Sequence, residues 1–184
     1  MIAIEETGTP IGSYAPDFEV PGVDGGVHHL ARYIETYRVI GVIFMANQCP
    51  YVERLLDELK TLQDEGEPQG VTLVGINANS ARKSPDESFE RMKDFARSCQ
   101  LNFPYLRDVT QDVARCFGAY QTPDIFLLNY EGRLCYRRQL SSEDEAVEGL
   151  MDDIRQAIAN IVANRPVTVT TPERSVGSPI QWSS

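Results

Sequence analysis

The chain has 184 residues, of which 42% are hydrophobic and 24% charged, enough for one domain with a real core and too few for two ordinary ones. Its formal net charge of -10, from 27 acidic and 17 basic residues, disfavours nucleic acid and anionic membranes as partners. The longest strongly apolar run, Val39 to Ala46, falls far short of the roughly 20 residues of a membrane span. The opening MIAIEETGTP lacks the basic start and apolar segment of a signal peptide, so a cytoplasmic protein is expected. Four cysteines, at 49, 99, 116 and 135, match neither a zinc pattern nor a dense disulfide framework. In a reducing compartment most of them are expected as free thiols, and no metal or other cofactor is called for.

In chain order, APDFEVPGVDGGVHHLARYI reads as a short extended segment, a turn at Asp24-Gly25-Gly26, and a second strand leading into a short helix near Leu30 to Thr36. His28 and His29 are adjacent and point to opposite faces of a strand, so they cannot share a metal. Arg38 to Met45 is apolar on both faces, as in a buried parallel strand. The following helix carries Val52, Leu55, Leu56, Leu59 and Leu62 on one stripe. Val71 to Ile76 is a second buried strand, ending in the polar loop NANSARK. Ser84-Pro85-Asp86-Glu87 combines an N-cap, a proline at the first helical position and a capping-box glutamate. Its helix presents Phe89, Met92, Phe95, Ala96 and Cys99.

Beyond LNFPYLRD, Thr110 is expected to cap a short helix with Val113, Ala114, Cys116 and Phe117, ended by Gly118. Thr122-Pro123 precedes the strand DIFLLN, and a turn at Glu131-Gly132 joins it to RLCYRRQL as an antiparallel hairpin. Ser142-Glu143-Asp144-Glu145 reads as another capping box, opening a helix with Val147, Leu150, Ile154, Ile158 and Ile161 that stops near Pro166. Residues 165–184 hold too many turn formers for a helix. They form an extended tail packed on a 1–164 domain, with Trp182 as its docking anchor. Parallel βαβ units followed by a hairpin imply an α/β fold, a mixed sheet with helices on both faces.

The chemistry centres on Ala46-Asn47-Gln48-Cys49-Pro50-Tyr51. Cys49 stands where a buried strand gives way to a helix, and Pro50 suits the first turn, where no amide hydrogen is needed. Unpaired helix amides and the N-terminal dipole favour thiolate over thiol there; Glu53 opposes this and Arg54 mildly supports it. Thr122-Pro123, just before a buried strand, is a natural place for a cis peptide. Its turn would bring the preceding backbone against the Cys49 loop and offer a thiol substrate a surface to pair along. Cys99 is expected in the core. Cys116 has two readings, packed beside Val113 and Phe117, or a resolving thiol for Cys49. Cys135 shares strand parity with Arg133 and Arg137, and the arginines around it read as charges guarding an edge strand.

The segments APDFEVPGVDG, VIFMANQCPYV, VGINAN, FPYLRDVTQDVA, TPDIFLLN and VGSPIQW together resemble thioredoxin-fold proteins of the alkyl hydroperoxide reductase/thiol-specific antioxidant superfamily. The similarity is greatest to a bacterial subgroup recognised by Cys-Asn-His-Cys-Pro-Tyr-Val, and it runs in order over nearly the whole chain. It implies a thioredoxin-like mixed sheet with an N-terminal extended hairpin and thiol redox chemistry at Cys49. Ala46, Asn47, Gln48, Pro50, Tyr51, Thr122 and Pro123 would shape that site. The chain departs from the subgroup at Ala46 and Ser178, where cysteines belong, and at Gln48 and Gln181, where a histidine and a lysine belong. The peroxiredoxin supports for a peroxide, a threonine and an arginine, fall at Ala46 and Pro123, leaving Arg115 and Arg133 as arginines that would have to reach the site from elsewhere. Two functions follow. One is a one-cysteine thiol oxidoreductase or antioxidant acting on disulfides or hydroperoxides, with a protein thiol, a small thiol or a hydroperoxide as its reaction partner. The other is a non-catalytic binding or assembly factor that keeps the fold and holds a protein partner.

Overall fold

A computed structural model describes residues 8–169 and 174–184. An N-terminal hairpin, β1 (Glu19–Pro21) with β2 (Val27–His29), turns at Asp24 and Gly25 and runs directly into α1 (Leu30–Thr36). The sheet that follows is built on β3 (Val39–Phe44), every residue of which is buried. α2 (Pro50–Gly66) returns the chain to β4 (Val71–Asn77), which lies parallel to β3 from Val39↔Val71 to Phe44↔Ile76. α3 (Phe89–Ser98) leads to β5 (Tyr105–Arg107), and α4 (Asp112–Phe117) to the short β6 (Gln121–Thr122). β7 (Asp124–Asn129) and β8 (Leu134–Arg138) complete an order of β5-β4-β3-β7-β8, with β7 antiparallel to β3. α5 (Val147–Val162) and a final β9 (Ser178–Pro179), paired with β6, close the chain.

Alternation along β3 divides the core in two. Val39 and Ile43 face one layer with α2, α3 and α5, where Leu55, Leu59, Met92, Met151 and Ile154 are buried. Ile40, Val42 and Phe44 face the other, shared with Phe18, Leu30, Ala114, Phe117 and the tail residue Ile180. This is the expected mixed sheet with helices on both faces. The apolar stripes of α2 and α5 and the face of α3 point inward as their spacing predicts.

Three expected caps are not where the sequence places them. Pro85–Glu87 is a single 3-10 turn, and α3 starts at Phe89 with Ser88 Oγ accepting from the Arg91 amide at 3.3 Å. The α4 cap is Gln111, in the left-handed region at φ 66, while Asp108 Oδ2 takes the Ala114 amide at 2.9 Å from inside. α5 starts at Val147, because Glu145 turns its carboxylate to Arg138 and the Ser141 amide instead of the helix. β5 is a strand with no sequence-based expectation; its three residues are buried at the end of β4. Gly118 does end α4, at φ 82.

Cysteines and arginines bring further corrections. Cys116 is exposed: a six-residue helix buries one face, and Val113, Ala114 and Phe117 fill it. Cys99 is half-buried against the first core and not fully enclosed. Nor do the β8 arginines stand as free guard charges. Arg137 pairs with Asp124 at 2.7 Å, and Arg138 with Glu145 and Asp153. Trp182 packs half-buried on the second core with the Arg115 guanidinium 4.9 Å over its ring.

Candidate functional site

Cys49 is the N-cap of α2, extended at φ -117 and ψ 112, and its side chain makes no cap bond. A cap bond contributes about 1 kcal/mol, whereas each fully buried Leu or Val contributes about 1.5–3 kcal/mol. The α2 stripe buries five such side chains, so packing holds the helix start and leaves the thiol free to face elsewhere. It faces the loop before Pro123. Cys49 Sγ lies 3.4 Å from the Thr122 carbonyl oxygen and 3.2 Å from Ser178 Oγ, and only 4% of the residue is exposed. A thiol has one hydrogen. It can therefore donate to only one of the two oxygens at a time, and as thiolate it can only accept, for which the Ser178 hydroxyl is the available donor of the two. The Thr122–Pro123 peptide bond is cis.

The loop before Cys49 is held by a carboxylate distant in sequence. Glu87, 4% exposed, accepts from the amides of Asn47 at 2.8 Å and Gln48 at 2.9 Å, and from Asn77 Nδ2 at 2.8 Å. Tyr105 donates its hydroxyl hydrogen to Asn47 Oδ1 at 2.7 Å while accepting from Asn77 Nδ2 at 3.0 Å. The Asn47 amide group donates to the Asp86 carbonyl at 2.9 Å, and Arg107 donates to the Glu87 carbonyl at 2.9 Å. Asn47 therefore anchors the loop, its side chain bonded to Tyr105 and the Asp86 carbonyl. Buried polar groups so fully paired specify one arrangement, and here they fix the backbone leading to the thiol.

On the other side, Asp124 is 0% exposed and takes Arg137 at 2.7 and 3.1 Å and Gln139 Nε2 at 3.0 Å. Burial pushes its carboxyl above the ordinary range, partly offset by the hydrogen bonds and charge of Arg137. This pair anchors the strand directly after Pro123. The tail completes the enclosure, with Thr122 opposite Ser178 and Gln121 opposite Pro179. Beside it lies a cleft of about 400 Å³ whose lining includes Ala46, Gln48, Thr122, Ser178, Asn79 and Lys83.

The structure thus brings together Cys49, Thr122 and, at the cleft wall, Ala46 and Gln48. Tyr51 turns its hydroxyl outward, 3.4 Å from Glu143. Cys116 is not brought to Cys49. Its helix packs on the second core while Cys49 belongs to the first, on the opposite face of the sheet. Arg133 lies over the Tyr14 ring at 4.0 Å and Arg115 over Trp182; among the described residues no arginine bonds to Cys49. Sequence reasoning missed Glu87, Tyr105, Asn77 and Asp124 as supports. The one local signal, Glu87 within Ser-Pro-Asp-Glu, looked like a helix cap.

A cysteine at a helix N-cap, facing the carbonyl before a proline that opens a central strand, on a sheet of this order, defines a redoxin of the thioredoxin-like fold. The chain belongs to the AhpC/TSA family, whose profile matches residues 11–137. It is similar to a hypothetical protein of Sinorhizobium meliloti 1021 whose crystal structure superposes with a TM-score of 0.85 at 31% identity, covering 96% of this chain and 97% of that one. An uncharacterized conserved protein of Geobacillus kaustophilus superposes at 0.83 with 34% identity over 95% and 93% of the two chains. Thiol-disulfide oxidoreductase ResA of Geobacillus thermodenitrificans is 26% identical over 161 residues, 85% of this chain and 81% of that protein. Among the described residues no helix is long and apolar enough to cross a membrane.

Proposed function

We propose that the protein is a one-cysteine thiol-disulfide oxidoreductase acting through Cys49. The observation that carries this is the sulfur at the start of α2, held between the Thr122 carbonyl and the Ser178 hydroxyl. Cys49 first gives its proton to solvent; the resulting thiolate attacks one sulfur of R–S–S–R′, the old S–S bond breaks as the new one joins Cys49 to R–S, and R′–S⁻ leaves and takes up a proton from solvent. A second, external thiolate then attacks the R–S sulfur, forming a new disulfide and returning Cys49 as thiolate. The resolving thiol is external because Ala46 offers a methyl group where a partner sulfur would be, and the helix that carries the exposed Cys116 packs on the opposite face of the sheet. Ser178 donates to the sulfur in its thiolate form and steadies the charge that returns there. Disulfides are favoured over hydroperoxides because Ala46 and Pro123 occupy the threonine and arginine positions that polarise a peroxide.

Turnover of bis(2-hydroxyethyl) disulfide with excess small thiol tests this. Turnover lost in Cys49→Ser is expected; equal rates in the two proteins refute the proposal. A second reading, a binding factor that keeps the fold, is favoured by the near-complete burial of Cys49. In that case a stable partner co-purifies from native cells, and Cys49→Ala leaves the complex intact.

A further inference from the structure

The tail lies where an incoming polypeptide would have to lie. β6 is two residues long, and its Thr122 carries the carbonyl that touches Cys49 Sγ. A polypeptide disulfide reaches a thiol in such a place by adding its own extended strand beside that backbone. β9 fills the position, with Thr122 opposite Ser178. The segment is tied on both sides: the Val176 amide bonds the Leu140 carbonyl at 2.8 Å, and the Ile180 amide bonds the Tyr120 carbonyl at 2.9 Å. Ile180 is 3% exposed in the second core, and the Gln181 amide bonds Asn79 Oδ1 at 2.7 Å. Gly177 makes the close approach feasible, since a Cβ there would stand 2.7 Å from the Thr122 carbonyl oxygen.

A small molecule has a different route. The cleft of about 400 Å³ shares Ala46, Gln48, Thr122 and Ser178 with the surroundings of Cys49, and its size suits a small ligand. Thr122 and Ser178, which both touch the sulfur, also line that cleft.

We propose that Val176–Pro179 is a built-in strap that sets the specificity of Cys49: it closes the site to extended polypeptide disulfides and leaves it open to small disulfides through the cleft. This rests on the disulfide-exchange reading and names the substrate class within it. An intramolecular strand is present at an effective concentration a free peptide does not match, so the exclusion holds in the full chain.

The test uses the full chain and reads modification at Cys49 by peptide mass spectrometry, so that Cys116 does not contribute. The probes are bis(2-hydroxyethyl) disulfide and a short extended peptide carrying a mixed disulfide. Wild type is expected to react about tenfold or more faster with the small disulfide, and Gly177→Val to remove most of that difference by raising the peptide rate. Gly177→Ala, a milder form of the same clash, is expected to move the ratio in the same direction. Equal rates in the wild type, or a ratio unchanged in both variants, overturn the strap. Iodoacetamide and a polymer-linked maleimide give a readout that needs no redox competence. Size selectivity in the wild type that Gly177→Val abolishes keeps the strap even where disulfide turnover fails, and equal labelling by the two reagents overturns it.

Discussion

Glu87→Gln removes the charge from the clamp on the Cys49 loop while keeping its shape. In the wild type one carboxylate oxygen takes Gln48 N, and the other takes Asn47 N and Asn77 Nδ2. A glutamine oxygen placed at the second position keeps two donors, but its amide nitrogen then meets the Gln48 N–H, donor against donor. One charge-assisted bond is lost and one donor is left unsatisfied, a cost of about 1–3 kcal/mol. In a chain of this size each kcal/mol moves Tm by roughly 2–4 °C, so a fall of about 2–12 °C is expected in a thermal scan at neutral pH. The variant's Cys49 alkylation rate should also change, because the loop that aims the sulfur is loosened. A Tm within about 1 °C of wild type, with unchanged alkylation, would refute the claim that this carboxylate holds the loop.

Ser178→Cys places a second sulfur where an oxygen now lies 3.2 Å from Cys49 Sγ, and a disulfide needs about 2.05 Å. Mild oxidation should therefore remove two titratable thiols, and an unchanged count contradicts the tail geometry. Ala46→Cys places a thiol three residues before Cys49, so mixed disulfides should release internally and peptide mapping should find Cys49 paired with position 46; persistence of the mixed disulfide contradicts this. Burial pushes the Glu145 carboxyl up, but the bonds from Arg138 and the Ser141 amide outweigh it and hold it below its ordinary value of 4.5. A depressed folded-state value means stability that is present above pH 4.5 and lost as pH falls through that lower value. The Tm gap between wild type and Glu145→Gln should thus be full at neutral pH and close in acid; a gap independent of pH contradicts the ion-pair account.

Elements whose own side chains reveal their surroundings were legible in the sequence. The continuous apolar runs of β3, β4 and β7 leave no face for water, and the 3.6-residue spacing of Leu55, Leu59 and Leu62 marks one buried stripe. Capping carboxylates were not, because a Ser-x-x-Glu pattern is equally satisfied by a distant partner. Glu87 reaches across 40 residues to Asn47, and Glu145 folds back onto Arg138. Of the site, Cys49 and the Thr122-Pro123 loop followed from strand-helix order and proline chemistry. The Asn47–Glu87–Asn77–Tyr105 network joins four chain segments, and no periodicity encodes such a meeting. Ser178 beside Cys49 was foreshadowed only by the resemblance that sets a cysteine at that position.

Attack by Cys49 on a disulfide is read from the position of the first mixed disulfide formed. The reduced full chain is treated with one equivalent of small disulfide, quenched in acid and mapped by mass spectrometry. The mixed disulfide is expected on Cys49, formed at a rate that Cys49→Ser abolishes. Modification of the exposed Cys116 alone, with Cys49 left as free thiol, would contradict it.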